Sequence, residues 1–309
     1  MMNFSYTVTP TLKQEIENTE ITRRKILLEL LSPSQKLQLR YNTEIERIMA
    51  SLRLCGVHLK KSQVLEYMSG ANKEKDDARK HIAEYKNSYD YIKFNWLLED
   101  KNVEVRDIQK LFSAFKNTPD FNEHELKTVL DFIQINPEHP IIQSALAVML
   151  FSELVPASNC QTAQIVMVAL LFLYKFGFDF RGFLNLEEFI ADDITRFKEL
   201  LKKGKQEKNI SEFLEYFTQI VSLSSEKAYQ TISKRNIEHL QPDSYFKLSD
   251  RQKEILTILE RPGAKITNKK VQKLFNVSQI TASRDLSGLA TLGLVFSAGK
   301  GRSVYYTRL

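Results

Sequence analysis

Residues His139–Gly177 read HPIIQSALAVMLFSELVPASNCQTAQIVMVALLFLYKFG. Two apolar stretches, Ile141–Leu154 and Ala163–Phe176, flank a short polar loop marked by Pro156. Each has the length of an ordinary globular helix. The longest unbroken apolar run, Ile165–Tyr174, stops at Lys175. A bilayer needs about 20 such residues, so these are helices of a protein core and not a membrane span.

Working outward, helical spacing persists on both sides. Thr11–Leu31 and Pro33–Arg53 read as long helices, and Asp76–Glu99 carries Ile82, Tyr85, Tyr89, Ile92 and Trp96 as one apolar stripe. Val105–Lys116, Asn122–Ile135, Leu186–Lys203 and Ile210–Ile232 complete the series. Gly70, Pro119, Pro137, Gly177 and Gly182 punctuate it. Hydrophobic residues make up 43% of the chain and charged residues 27%, which excludes a disordered chain. The opening MMNFSYTVTPTLKQEIENTE has no basic segment leading into an apolar one, so no secretory leader is expected. Two cysteines, Cys55 and Cys160, make neither a disulfide framework nor by themselves a closed zinc site. A reducing cytoplasmic location is the expectation.

Charge is distributed unevenly. Ser249–Leu309 holds 11 Lys/Arg and 4 Asp/Glu, a net of +7, whereas the preceding residues hold 33 against 34. The basic excess therefore sits in the last fifth of the chain, as expected of a nucleic-acid module. That segment also has a clear order. Ser249–Leu259, Thr267–Phe275 and Gln279–Leu292 are expected as helices, with Ser249 or Asp250, Thr267 or Asn268, and Ser278 as their caps. Leu294–Ser297 and Ser303–Thr307 follow as two strands joined by Ala298-Gly299-Lys300-Gly301-Arg302.

This is the order of a winged helix-turn-helix, and VSQITASRDLSGLATLGLV followed by GKGRSVYY resembles bacterial winged-helix regulators. In such a module the third helix enters the major groove with its N-terminal polar residues against base edges. Those residues are Ser278, Gln279, Thr281, Ala282, Ser283 and Arg284. Arg and Gln are the side chains suited to bidentate base contacts. Lys269, Lys270 and Lys273, with Lys300 and Arg302 on the wing, would neutralise phosphates. Leu286, Leu289 and Leu292 are the core side of the third helix.

The N-terminal body resembles the Fic (Fido) family. The resemblance rests on His139–Leu146 (HPIIQSAL), Val155-Pro156, the apolar helix after it, and Phe183–Phe189 (FLNLEEF). Thr7-Val8-Thr9-Pro10 resembles the family's opening, and Ser51-Leu52-Arg53-Leu54-Cys55-Gly56 its inhibitory-helix motif SxxIEGN. Family members transfer AMP or related groups from a nucleotide to a protein hydroxyl, using the motif HPFxDGNGR. Its His is the general base, its acidic residue holds a divalent ion, its Gly-Asn-Gly backbone cradles phosphate, and its Arg neutralises charge.

In this chain the motif reads VPASNCQTA. Val155 stands in place of the base, Asn159 in place of the metal-binding carboxylate, Cys160 and Thr162 in place of glycines, and Ala163 in place of the Arg, with Gln161 between; only Pro156 is retained. Cys55 replaces the inhibitory Glu, with Ser51 and Gly56 flanking it. Most of Lys116–His139 reads as helix, which leaves no room for the family's target-docking hairpin. His139 is expected to pack or cap. Cys160 is expected to be an inert buried thiol, because no neighbouring residue in sequence would activate it. His58, His81, His124 and His239 show no paired ligand spacing, so no metal site is expected.

The expectation is thus a mainly α protein: a helical Fic-like domain, then a small winged-helix domain. Residues 1–100 form an N-terminal helical region with a degenerate inhibitory helix, 101–234 a degenerate Fic-like core, 235–247 a linker and 248–309 the winged helix. The expected function is a DNA-binding transcriptional regulator without catalytic residues or cofactor. Its partners would be double-stranded DNA, with a homodimer and a protein or small-molecule effector as further candidates, and no membrane. Two alternatives stand beside it. One is a Fic-type adenylyltransferase with a non-standard motif, using ATP and Mg²⁺; the other is a protein-interaction scaffold.

Overall fold

A computed structural model describes residues 4–31, 33–69, 76–115, 119–135, 138–237, 248–259, 264–291, 294–298 and 304–307. The chain is mainly α, with a small three-stranded antiparallel sheet near its end. At the centre lie α7 (Pro140–Leu154) and α8 (Gln161–Lys175), packed against each other. Ile141–Ser152 and Thr162–Lys175 are buried on every side. A helix apolar all round must occupy a core, and here two of them form it.

The other helices wrap this pair. α1 (Pro10–Leu28) starts at Thr9, whose hydroxyl accepts from the Leu12 amide, with Pro10 in the first turn. It packs along α11 (Ser211–Ile237). α2 (Pro33–Leu54) contacts α4 (Asp77–Asn95), α8 and α9 (Leu186–Asp192). α5 (Val105–Phe112) and α6 (Glu123–Ile135) cover one side, and α10 (Ile194–Glu207) closes another. Among the described residues of 116–139 there is helix and no strand, as the sequence implied.

Several boundaries differ from expectation. The single helix expected over Leu186–Lys203 is two, α9 and α10, broken at Asp193 with φ −131° and ψ 49°. The Asp193 carbonyl accepts from the Phe197 amide of α10 at 3.1 Å and from the Tyr216 hydroxyl at 3.2 Å. A short helix, α3 (Lys61–Ser69), was not foreseen. α11 continues to Ile237, three residues into the stretch read as linker; residues 238–247 lie outside the described residues.

The C-terminal unit has its own core, built from Leu248, Ile255, Leu256, Val271, Leu286 and Leu289 among others. α12 (Asp250–Ile258) begins with a capping box between Ser249 and Gln252. α13 (Asn268–Phe275) is capped by Thr267 and ends at Asn276, whose left-handed φ of 50° makes the tight turn. α14 (Gln279–Thr291) follows, with the Ser278 hydroxyl accepting from the Thr281 amide at 3.2 Å. Strands β1 (Lys265–Ile266), β2 (Phe296–Ala298) and β3 (Tyr305–Thr307) pair in the order β1-β3-β2. Ile266 faces Tyr306, and Ser297 faces Tyr306 from the other side. β1 is an addition to the two expected strands. Leu37 of α2 packs on this second core, and Tyr41 lies 6.3 Å from the ring of Phe296.

Candidate functional site

The loop between α7 and α8 and the start of α8 carry the VPASNCQTA stretch, Val155–Ala163. Val155 caps α7 and is buried, while Pro156, Ser158 and Asn159 are exposed. The Gln161 side-chain amide donates to the Val155 carbonyl at 2.6 Å, so this loop ties itself closed. Thr162 and Ala163 are both buried in the first turn of α8. The stretch from Val155 to Ala163 thus offers no ionisable oxygen and no cation.

Cys160 departs from expectation. It is bonded to Cys55 in a disulfide, with Cα atoms 4.3 Å apart across a sequence separation of 105. Cys55 is positioned by the way α2 stops. Gly56, at φ +78°, donates to Arg53, and Val57 donates to Leu52, a helix stop that needs a left-handed residue after Cys55. Cys160 is the residue from which α8 starts, and its carbonyl accepts from Gln164. Neither cysteine is an isolated thiol.

His81 also departs from expectation. Its ring nitrogens lie 3.6 and 3.7 Å from Cys160 Sγ. Asp76 caps α4 by accepting from the Arg79 amide, which sets His81 and Glu84 one turn apart on one face. Glu84 Oε2 lies 3.2 Å from His81 Nδ1, and Lys80 lies 3.8 Å from the same carboxylate. Among the described residues, Cys55, His81 and Cys160 are the one group whose donor atoms lie within metal-binding reach of one another, all within 4.8 Å. His81 lies on α4, Cys55 just past the end of α2 and Cys160 just before α8, a convergence invisible in local spacing.

Between α2, α4, α8 and α9 lies a polar cluster that the sequence reading missed. Arg47 of α2, 1% exposed, pairs with Glu187 of α9 at 3.2 Å and donates to the Tyr174 hydroxyl at 3.2 Å. Its guanidinium lies 3.8 Å over the Tyr89 ring. Tyr85 donates to Glu187, and Tyr89 and Tyr174 share a hydrogen bond of 2.6 Å. Burial works against the Arg47 charge, but Glu187 and the three tyrosines reverse this and push its pKa up. Burial also pushes the hydroxyls of Tyr85, Tyr89 and Tyr174 up. The cluster pins α2, α4, α8 and α9 together. His139 takes the capping role: its ring accepts from the Ile141 amide at 3.3 Å, lies 3.4 Å from Glu20 and meets Phe178 edge-on.

The second candidate region is the start of α14. Gln279, Ser283 and Arg284 are exposed, as are Ser278 and, on α13, Lys269, Lys270 and Lys273. Thr281 is half-buried, its hydroxyl 3.0 Å from that of Ser278. Ala282 is fully buried in the second core, so it cannot face a base edge. Ile280, 72% exposed, stands on the outer face instead, where the helical period carries it. Gln279, Ile280, Ser283, Arg284 and Ser287 line a shallow depression of about 340 Å³. Leu286 and Leu289 point inward as expected. Lys300, Arg302 and Leu292 lie outside the described residues.

In sequence, no protein-family model and no curated protein matches the chain. In structure it is similar to a Fic family protein from Desulfovibrio desulfuricans G20, with a TM-score of 0.61 and 15% identity. The match covers 98% of this chain and 97% of that one. The chain therefore has the fold of a Fic family protein along its whole length. Among the described residues, no helix is long and apolar enough to cross a membrane.

Proposed function

We propose that the protein is a DNA-binding transcriptional regulator of the cytoplasm, a winged helix-turn-helix carried on a Fic-like body that has lost its transfer chemistry. One observation carries this reading: α14 turns Gln279, Ser283 and Arg284 outward from a buried Ala282–Leu286–Leu289 face, in the segment that holds the chain's basic excess. A helix with an apolar back and a polar front of this chemistry suits a major groove. Lys269, Lys270 and Lys273, exposed on the preceding helix, are available to phosphates. The body contributes no base, carboxylate or arginine where the motif should be, so it needs neither ATP nor Mg²⁺ and serves dimerisation, partner contact or effector sensing.

Selection from a pool of random DNA duplexes tests this. The full chain should enrich a shared sequence, and Arg284→Ala should change or abolish the enrichment. A pool that stays random after several rounds would contradict a sequence-reading role. Incubation with ATP and Mg²⁺ should leave every protein in a lysate unmodified by AMP, and melting should be unchanged by the nucleotide. Transfer of AMP would instead establish the enzyme alternative.

A further inference from the structure

The disulfide joins opposite ends of two helices, and that makes its sulfurs chemically unequal. Cys55 follows the last turn of α2, where the carbonyl end of the helix dipole disfavours an anion. It is also only 8% exposed. Cys160 precedes the first turn of α8, where amide N–H groups favour an anion, and it is half-buried at the edge of an exposed loop. His81 stands against Cys160 Sγ, with Glu84 behind it. Thiol reactivity rises where a thiolate is stabilised, a basic group is near and the sulfur can be reached. Cys160 meets all three conditions, whereas Cys55 shares only the nearby His81, within 4.8 Å.

We propose that Cys160 and Cys55 form a reversible thiol–disulfide exchange site, with Cys160 the attacking thiol, His81 its base and a low-molecular-weight disulfide its co-substrate. In the reduced chain, the Cys160 thiol gives its proton to His81, and the thiolate attacks one sulfur of the disulfide RSSR. The Cys160–SR bond forms as the S–S bond breaks, and RS⁻ leaves with the proton held by His81. Cys55 then gives its proton to His81 and attacks Cys160 Sγ, and the second RS⁻ leaves with that proton. The chain is oxidised by two electrons, one RSSR is reduced, and two RSH are released. Reduction by a thiol is the reverse. The bond locks the end of α2 to the start of α8 and closes a loop of about a hundred residues in the unfolded chain, so oxidation should raise the melting temperature by about 5–10 °C.

The test uses the full chain, reduced, freed of reductant and exposed to oxidised glutathione, with thiols trapped by alkylation and read by mass spectrometry. The expected products are a Cys55–Cys160 peptide and two glutathione thiols per chain. Cys55→Ser should accumulate glutathione on Cys160, whereas Cys160→Ser should leave Cys55 mostly free. His81→Gln should slow alkylation of Cys160 near pH 7 by about 10-fold while circular dichroism is unchanged. If a Cys variant does not fold, the rates of the two thiols in the briefly reduced natural chain decide the same point. Two free thiols persisting in oxidised glutathione would overturn the proposal, as would faster alkylation of Cys55 than of Cys160. So would uptake of one Zn²⁺ per reduced chain that then protects both thiols, which would make the cluster a metal site.

Discussion

The loop before α8 and the turn before α14 are both polar segments opening a helix, yet they present opposite faces. At α8 the first turn is Gln161, half-buried, with Thr162 and Ala163 buried; Gln161 ties back to the Val155 carbonyl and Cys160 to Cys55. At α14 the first turn has Gln279 and Ile280 exposed, Thr281 half-buried and Ala282 buried, with Ser283 and Arg284 continuing the outer face. A helix start can meet a ligand only where its side chains reach solvent and carry donors or charge. The first turn of α8 is largely buried behind Cys160 and carries no charge, whereas that of α14 carries exposed donors. The difference separates a region that holds the protein together from one that is proposed to read DNA.

Each half of that contrast can be broken separately. The largest effect belongs to the interior. Arg47→Ala would leave buried Glu187 with the Tyr85 hydroxyl but without its cationic partner and should cost about 3–5 kcal/mol of unfolding free energy in urea. A loss below about 1 kcal/mol would mean that the cluster does not pin the four helices. Next comes the outer face. Arg284→Ala or Gln279→Ala should weaken binding to a selected duplex by about 1–3 kcal/mol, with unchanged melting. Equal loss on scrambled duplex would make these side chains phosphate contacts. Replacing Lys269, Lys270 and Lys273 together by Ala should lower affinity for all duplexes and reduce the slope of log affinity against log salt by up to about 3.

The smallest effect concerns His139, whose pKa burial holds below the ordinary histidine value, with Glu20 partly opposing. The unfolded chain therefore binds this proton more readily than the folded one. The contribution of neutral His139 is complete above the unfolded value near 6.5 and is lost as pH falls through the lower folded value. Asp179, Glu44 and Asp90, raised by burial, act in the opposite sense. The comparison with His139→Asn, which can still cap α7, isolates the histidine: on acidification the variant should lose less stability than the natural chain. Parallel curves would remove His139 from the account.

The C-terminal unit was largely readable because its signals are local. Ser249, Thr267 and Ser278 announce helix starts, and the spacing of Leu286 and Leu289 announces an inward face. β1 was not readable, since the two residues Lys265 and Ile266 are too few to show alternation. Ala282 was misplaced because its polar neighbours concealed which way a helical period would turn it. In the body, helix positions were legible from apolar spacing, but the break at Asp193 was not, because apolar spacing continues across it. The pairing of Cys55 with Cys160, the approach of His81 and the burial of Arg47 all depend on how distant helices meet. Periodicity within one helix contains no such information.

The central claim is that α14 reads DNA. Fluorescence anisotropy of the full chain on the duplex upstream of its own coding sequence, against scrambled duplex over a salt series, tests it most directly. The account predicts salt-sensitive binding to both duplexes at low salt, preference for the upstream sequence, and loss of that preference in Arg284→Ala. No binding to either duplex at low salt would contradict it and leave the C-terminal unit a protein-contact module.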